Sequence, residues 1–463
     1  MGWLRWDCRS RVTWQTVNMS VTPLADRAAP APSTLYEPCV LLKLGEIVLK
    51  GGNRQQFERI LQSNIRRAVA ELGFEVRLWQ RDGVIVIRLA PPDTVPPPDT
   101  VPAPDTVPVP EAVPVPEARP AVDAPGAAAA AAGAAADKIT ERARDIMGIA
   151  RVCRAVRVAK DPQAAIEAAV ALMAGKPGSF AVRARRRDKR FALTSADLAT
   201  EIGSRVQQAY GYPVNLKHPD TALFVEVDQR EVFVYTEGYP GQGGLPVSMS
   251  GRALVLMSGG IDSPVAAYRM IRRGLRCDFL HFSGMPLTGP ESVYKAYGLM
   301  HQLDRFQGRS RLFVVAFGKA QQRLASSGAS RLQIVAQRRL MLKTGEVLAT
   351  RLGAAALVTG DSLGQVSSQT LTNLAALDDA VGLPILRPLI GCDKVEIMAE
   401  ARRIRTLALS ELPDQDCCTL LTPRHVETRA RIDDLHRIEA RLEAADLAEE
   451  LAGLAQEYRP DRP

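Results

Sequence analysis

Between Ala253 and Met257 the chain is apolar without a break, and the run ends in small residues at Ser258, Gly259 and Gly260. Such a run predicts a strand buried on both faces, as in a parallel sheet. Val265 to Arg273 then predicts a helix, with Asp262 or Ser263 as N-cap and Pro264 near the first helical position. Further apolar runs at Arg276 to Phe282, Leu312 to Ala316 and Ala355 to Thr359 alternate with helical patterns at Ser292 to Arg305 and Arg331 to Arg351. Strands alternating with helices predict an α/β fold with a doubly wound parallel sheet, whose ligands bind at the carboxyl ends of the strands. His281-Phe282 and Gly360-Asp361 fall at such ends.

Upstream the pattern changes to α+β. Strands are predicted at Cys39 to Leu44, Glu75 to Leu78 and Val84 to Leu89, with an amphipathic helix from Gln55 to Leu72. A helix at Asp137 to Met147 and a strand at Arg151 to Val158 complete that unit. A second unit has helices at Pro162 to Met173 and from Thr194 to Tyr210. Its strands start at Ser179, Ala222 and Glu231, and a glycine-rich linker follows at Gly238 to Ser250. From Pro91 to Ala136 the periodicity vanishes. Asp-Thr-Val-Pro recurs at 93, 99 and 105, and a poly-alanine tract with no face to bury follows. So much proline favours extended chain, and we expect a flexible insertion within the first unit. The expected divisions are an extension at 1–38, a first domain at 39–160 interrupted at 91–136, a second at 161–240, an α/β domain at 241–428, and a helical tail at 429–463.

Composition narrows the class. The chain has 463 residues, 46% hydrophobic and 24% charged, enough to bury several cores. Its net charge of +8 points to an anionic partner. The seven cysteines include no Cys-x-x-Cys, so neither a zinc ribbon nor an iron–sulfur cluster is suggested. No run has the length of a membrane span and Met1 to Pro38 lacks a signal-peptide core, so a cytoplasmic location is expected. Basic residues cluster in Ser179-Phe-Ala-Val-Arg-Ala-Arg-Arg-Arg-Asp-Lys-Arg190. It begins as an alternating strand, so Arg183, Arg185 and Arg187 are expected on one face, with Lys189 in the turn beyond. Nucleic-acid phosphates are the expected partner.

Strand, glycine turn and helix N-terminus form an anion site, because N–H groups and the helix dipole point at the turn. The turn Ser258-Gly-Gly-Ile-Asp-Ser263 has neither the Gly-Lys-Ser/Thr end of a Walker A loop nor a Gly-x-Gly-x-x-Gly fingerprint. It resembles the PP-loop of ATP pyrophosphatases, which split ATP between its α and β phosphates. Leu42-Lys-Leu-Gly-Glu-Ile-Val-Leu-Lys-Gly-Gly-Asn-Arg54, Thr359-Gly-Asp-Ser-Leu-Gly-Gln-Val-Ser-Ser-Gln-Thr370 and Asp416-Cys-Cys-Thr-Leu-Leu-Thr-Pro423 resemble motifs of the tRNA 4-thiouridine synthetases, the ThiI family. Ser179 to Ser195 and Pro219 to Tyr235 resemble that family's THUMP domain.

The resemblance implies a ferredoxin-like domain, a THUMP domain and a PP-loop domain. It implies thiolation of the tRNA uridine between the acceptor and D stems, using ATP and Mg²⁺, with a shared role in thiamine biosynthesis through a sulfur-carrier protein. It also implies ATP contacts at Leu256, Met257, Ser258, Gly259, Gly260, Asp262, Ser263, His281, Phe282, Arg338, Gly360 and Gln369. Asp262 and the sulfur-carrying Cys418 would be catalytic, and Arg183, Arg185, Arg187 and Lys189 would meet tRNA. About 35 residues follow Thr428, without cysteine, so a form lacking the rhodanese domain is expected, with sulfur arriving from a cysteine desulfurase. Residues alone leave other readings open: His281 and Phe282 as a strand end, Arg338 as a solvated helix face, Gln369 as a turn cap, Cys418 as a small buried side chain. Cys277 and Cys392 are read as structural. A sulfur donor for thiamine alone, or another PP-loop adenylating enzyme, is the competing function.

Overall fold

The computed structural model describes residues 37–460 except 50, 51, 82, 90–124, 414–422 and 424. The expected extension over 1–38 lies outside these residues but for Glu37 and Pro38, which open the first strand; the Pro-rich stretch and the Cys417-Cys418 pair also lie outside them.

Two sheets organise the described chain. The first runs through β1 (Glu37–Leu44), β2 (Val76–Arg81), β3 (Val84–Leu89), β4 (Ile149–Ala159), β5 (Phe180–Arg186), β6 (Thr221–Val227), β7 (Glu231–Tyr235) and β8 (Tyr239–Pro240). Its order is β2-β3-β1-β4-β7-β6-β5, with β8 also on β4. β4 is the hinge-pin of this order. It pairs with β1 over Glu37–Leu44 and with β7 over Val156–Ala159. The two upstream units therefore share one continuous sheet. Helices α1 (Arg54–Ala70), α2 (Pro125–Ala143), α3 (Pro162–Met173) and α4 (Ser195–Tyr210) cover one face. α4 begins where Thr194 and Asp197 close a reciprocal capping box.

One expectation fails here. The poly-alanine tract is not part of a structureless insertion: α2 starts at Pro125, and Ala135 and Ala136 are buried beside Ile139 and Ala143. Alanine has no amphipathic signal, yet its small side chain lets a helix lie close on a sheet.

The second sheet holds β9 (Arg252–Leu256), β10 (Arg276–Ser283), β11 (Leu312–Ala316), β12 (Leu357–Val358), β13 (Ile385–Leu386) and β14 (Gln456–Tyr458). Its order is β13-β12-β9-β10-β11-β14, parallel except for β14. Alternate strand residues face opposite sides. Ala253 and Val255 join the core beneath α5 (Asp262–Arg272), α6 (Glu291–Gln307) and α10 (Lys394–Arg403). Leu254 joins the core beneath α7 (Gly318–Ser326), α8 (Gln333–Leu352), α9 (Leu371–Asp378), α12 (Ile432–Leu442) and α13 (Ala444–Gly453). α11 (Leu407–Ser410) packs on α6. The expected charged tail is thus two helices and an edge strand built into the α/β layer. Arg339 of α8 anchors them: its fully buried guanidinium donates to Glu439 of α12 at 2.7 Å and to Asp379 at 2.9 Å.

The expected linker folds against both sheets. Gly243 accepts from and donates to the backbone at Gly148 and Ile149, while Leu245 N–H donates to Arg272 O at 3.0 Å. Gly244 has φ +71, and a Cβ there would lie 2.1 Å from Arg272 O, so only glycine lets the chain pass.

Candidate active site

Loop 258–263 leaves β9 and enters α5 at the carboxyl end of the parallel sheet. The helix starts at Asp262, so Pro264 sits one turn-position further in than expected. Ser263 Oγ accepts from Ser258 N–H at 3.1 Å, and Ser258 Oγ accepts from Gly260 N–H at 3.3 Å. The serines thus set the curvature of the loop. Gly360, beyond β12, presses on it: a Cβ there would stand 2.8 Å from Ser263 N. Glycine at 360 allows the loop and the β12 end to touch.

Above the loop opens a cavity of ≈ 340 Å³. Leu256, Met257, Ser258, Asp262, Ser263, His281, Phe282, Arg338, Gly360 and Gln369 all line it. Gly259 and Gly260 belong to the same loop but not to the lining. The cavity has two chemical ends. Leu256, Leu280, Phe282, Ile334 and Met341 supply apolar walls, suited to a flat base. The loop end supplies N–H groups and a helix N-terminus, suited to phosphate.

His281 is buried and locked. Its Nδ1 donates to Met257 O at 2.9 Å, and its Nε2 lies 3.0 Å from Ser292 Oγ. The two bonds make it a brace between the end of β9, β10 and α6. Arg338 turns from helix α8 to Asp361, with Nη2 at 2.5 Å from Oδ1. Gln369 Nε2 reaches the same oxygen at 3.1 Å. Burial raises the Asp361 carboxyl, but Arg338, Thr359 and Arg387 together bring it below the ordinary carboxylate range, so it is ionised.

Two side chains at this site were not singled out in the sequence. Lys394 Nζ lies 2.7 Å from Asp262 Oδ1, and Gln365 Nε2 lies 3.0 Å from Oδ2. Lys394 is the first residue of α10, set there by the Asp393–Glu396 capping box. A lysine at a helix N-terminus opposes the dipole, and that was the legible signal that it serves something else.

Of the described cysteines, Cys39 and Cys277 are buried, and burial pushes both thiols up to about 12. Cys153 is buried and raised as well. Such thiols stay protonated and unreactive. Cys392 is half-buried, with Arg269 Nη1 2.7 Å from its sulfur.

A second concave surface lies on the first sheet. It measures ≈ 790 Å³ and is lined by Trp79 to Arg81, Arg185 to Arg187 and Asp228 to Arg230. Arg183 and Arg185 are exposed on β5; the strand ends at Arg186, and Arg187 just beyond it donates its N–H to Val227 O at 2.8 Å and lines the groove with Arg185. Arg183 lies outside the groove, with Nη2 donating to Leu216 O at 2.6 Å. Lys189 is exposed but also outside it. Arg81 was missed because β2 reads only as an alternating strand. It sits over Phe233 at 5.2 Å and over Trp79 at 6.0 Å and pairs with Asp228 at 2.5 Å. Arginine beside an aromatic face is suited to stacked bases and phosphates.

The chain is similar to known proteins over most of its length. The sequence pattern of the family described as Thiamine biosynthesis protein (ThiI) matches residues 248–444. That of the THUMP domain matches 163–237, and that of the ThiI ferredoxin-like domain matches 39–97. A Nocardia farcinica protein named probable tRNA sulfurtransferase is 47% identical over 420 residues, covering 89% of this chain and 92% of its own. One of the same name from Thermus thermophilus is 45% identical over 319 residues, covering 69% and 78%. Among solved structures, a 4-thiouridine synthetase in complex with RNA and with bound ATP matches with a TM-score of 0.76 at 26% identity. The match covers 92% of this chain and 100% of that one.

Proposed function

The chain belongs to the ThiI family of tRNA sulfurtransferases, and on that premise we propose that it makes 4-thiouridine in tRNA by adenylating the uridine between the acceptor and D stems and transferring persulfide sulfur to it. The observation that carries this reading is a two-ended cavity, phosphate-seeking at the 258–263 loop and apolar at Leu256 and Phe282, in a chain that also bears an arginine-lined groove.

The uridine 4-carbonyl is a poor electrophile because its oxygen leaves badly. In the proposed reaction that oxygen attacks the α-phosphorus of ATP and pyrophosphate departs. The loop N–H groups, the α5 N-terminus and Lys394 stabilise the charge that gathers on the leaving phosphates. Magnesium enters with the nucleotide as the counterion of its phosphates, as part of the substrate. The outer sulfur of the Cys418 persulfide then attacks C4, and AMP leaves with the old carbonyl oxygen; a second thiol attacks the Cys418 sulfur, releases the thiouridine and forms a disulfide with Cys418, which an external thiol reductant reopens.

The persulfide is assigned to Cys418, on the motif Asp416-Cys-Cys-Thr419. The described residues flanking it support that choice. Before it, Ser410 Oγ donates to Gly260 O at 3.3 Å; after it, Thr428 O accepts from Thr370 Oγ1 at 2.7 Å, next to Gln369. Both attachment points adjoin residues of the cavity, since Gly260 belongs to the phosphate loop and Thr370 follows Gln369. A cysteine desulfurase is the proposed sulfur source, a thiamine-pathway sulfur-carrier protein a second acceptor, and the cytoplasm the site of action. No described helix is long and apolar enough to cross a membrane. A role in thiamine synthesis alone would leave the Trp79–Arg81–Arg185 groove without a task, which favours the RNA reading.

The test is mass spectrometry of tRNA nucleosides from cells carrying wild type, Cys418→Ser or Cys417→Ser. Cys418→Ser is expected to lose 4-thiouridine yet still release pyrophosphate with tRNA in vitro, and Cys417→Ser to do less harm. Normal 4-thiouridine with Cys418→Ser would remove that residue from the mechanism. Wild-type cells without the modified nucleoside would remove the function.

A further inference from the structure

Asp361 stands just past β12 in the wall of the cavity, 3% exposed. Four side chains from four places in the sequence donate to its two oxygens. Arg338 of α8 and Gln369 of the 367–369 turn share Oδ1, at 2.5 and 3.1 Å. Thr359 Oγ1 and Arg387 Nε share Oδ2, at 2.8 and 3.4 Å. Arg387 is held from behind by Asp378 at 2.7 Å.

A buried carboxylate is costly unless paired and hydrogen-bonded, and this one is saturated. Its donors are not. Arg338 and Gln369 line the cavity, and their buried Nη1 and Oε1 have no hydrogen-bond partner among the described residues. Orphaned buried polar atoms are rare and destabilising. Here they belong to the two side chains that Asp361 holds by their other ends. Two guanidinium groups, Arg338 and Arg387, are moreover brought to one point, which like charges resist unless an anion lies between them.

We propose that Asp361 is the positioning residue of the nucleotide pocket: it grips one end of Arg338 and of Gln369 so that their unspent ends are pre-set for the ribose and phosphates of ATP. Asp361 itself touches no reacting atom. The assignment rests on the reading that the cavity takes ATP.

The experiment is calorimetric titration with α,β-methylene-ATP, which cannot be split at the α–β bridge. It compares wild type, Asp361→Asn, Asp361→Glu, Arg338→Ala and the Asp361→Asn/Arg338→Ala double variant, each melted in parallel to establish folding. Asp361→Asn is expected to weaken binding by about tenfold to a hundredfold, the worth of one charge-assisted hydrogen bond. Asp361→Glu should recover most of it, because it restores the anion. The double variant should bind little worse than Arg338→Ala, since a residue acting through Arg338 has nothing left to act on. Losses that multiply, or wild-type affinity in a folded Asp361→Asn, would overturn the assignment while leaving the ATP reading intact. No binding by the wild type would overturn both.

Discussion

Lys394 Nζ lies 2.7 Å from Asp262 Oδ1, so the first residue of α10 neutralises the first residue of α5 across the mouth of the phosphate loop. Neither side chain is buried; Asp262 has 23% and Lys394 42% of its side chain exposed. As a surface pair it adds little stability. Its position suggests a poised cation, released to leaving phosphates when they arrive. Lys394→Ala and Asp262→Ala are each expected to lower tRNA-dependent pyrophosphate release by at least about a hundredfold, as for removal of an electrostatic stabiliser. Melting temperature and tRNA affinity should hardly change. Wild-type pyrophosphate release from either variant would exclude the pair from the chemistry.

The groove carries a salt-dependence prediction. Arg185→Ala with Arg187→Ala should lower the slope of log affinity against log salt by about 0.7 to 0.9 for each phosphate no longer neutralised, equally for different tRNAs. Arg183→Ala should do less, because its guanidinium is tied to Leu216 O. Filter binding across a salt series decides this, and an unchanged slope would return the run to a solvated edge.

The insertion should be dispensable only in part. Deleting 93–124, with a short Gly-Ser bridge, should leave thiolation and the melting temperature within about 2 °C of wild type. Extending the deletion through Ala136 removes buried helix from α2 and should lower the melting temperature by about 5 °C or more. Equal melting of the two variants would mean that the alanine tract contributes nothing.

A pH effect follows from Asp304. Burial raises its carboxyl from an ordinary 3.8 to about 6, against the opposing pull of Ser310 and Arg276. Ionisation is therefore disfavoured in the folded chain. The stability tied to the protonated form is fully present below about pH 4 and is lost as pH rises through about 6. Asp304→Asn keeps an oxygen for Ser310 without the charge. It should be more stable than wild type at pH 7.5, by up to about 3 kcal/mol, with no difference near pH 4. Urea melts at the two pH values measure this; a variant less stable at pH 7.5 would show that the charge is welcome there.

Local chemistry wrote much of this fold plainly. β7 and β11 were read to the residue because each is a short apolar run between turn signals. The Thr194 cap announced α4, and Ser258 to Ser263 announced a phosphate loop in its strand-to-helix setting. What escaped is non-local. Asp361 looks like any polar strand end until residues 338, 369 and 387 converge on it. Arg81 becomes part of a basic groove only because β2 and the turn after β6 face one concavity. Arg183 shares the exposed face of β5 with Arg185 as expected, but its guanidinium donates to Leu216 O, a contact that no alternation pattern encodes. The burial of the poly-alanine helix escaped for a different reason: an amphipathic face is read from contrast, and alanine beside alanine offers none.

Arg339 gives the order of synthesis a physical meaning. It is neighbour to Arg338, fully buried, and matched chiefly by Glu439 from a helix translated long after the cavity's own residues. Until Glu439 leaves the ribosome, Asp379 is the carboxylate that meets this buried cation, and removing one partner of a buried ion pair costs about 3–5 kcal/mol. The helix that bears Arg338 is therefore expected to be held less firmly on its sheet until α12 docks. A chain truncated before α12 is expected to be cut by protease on the uncovered α8 face sooner than the full chain.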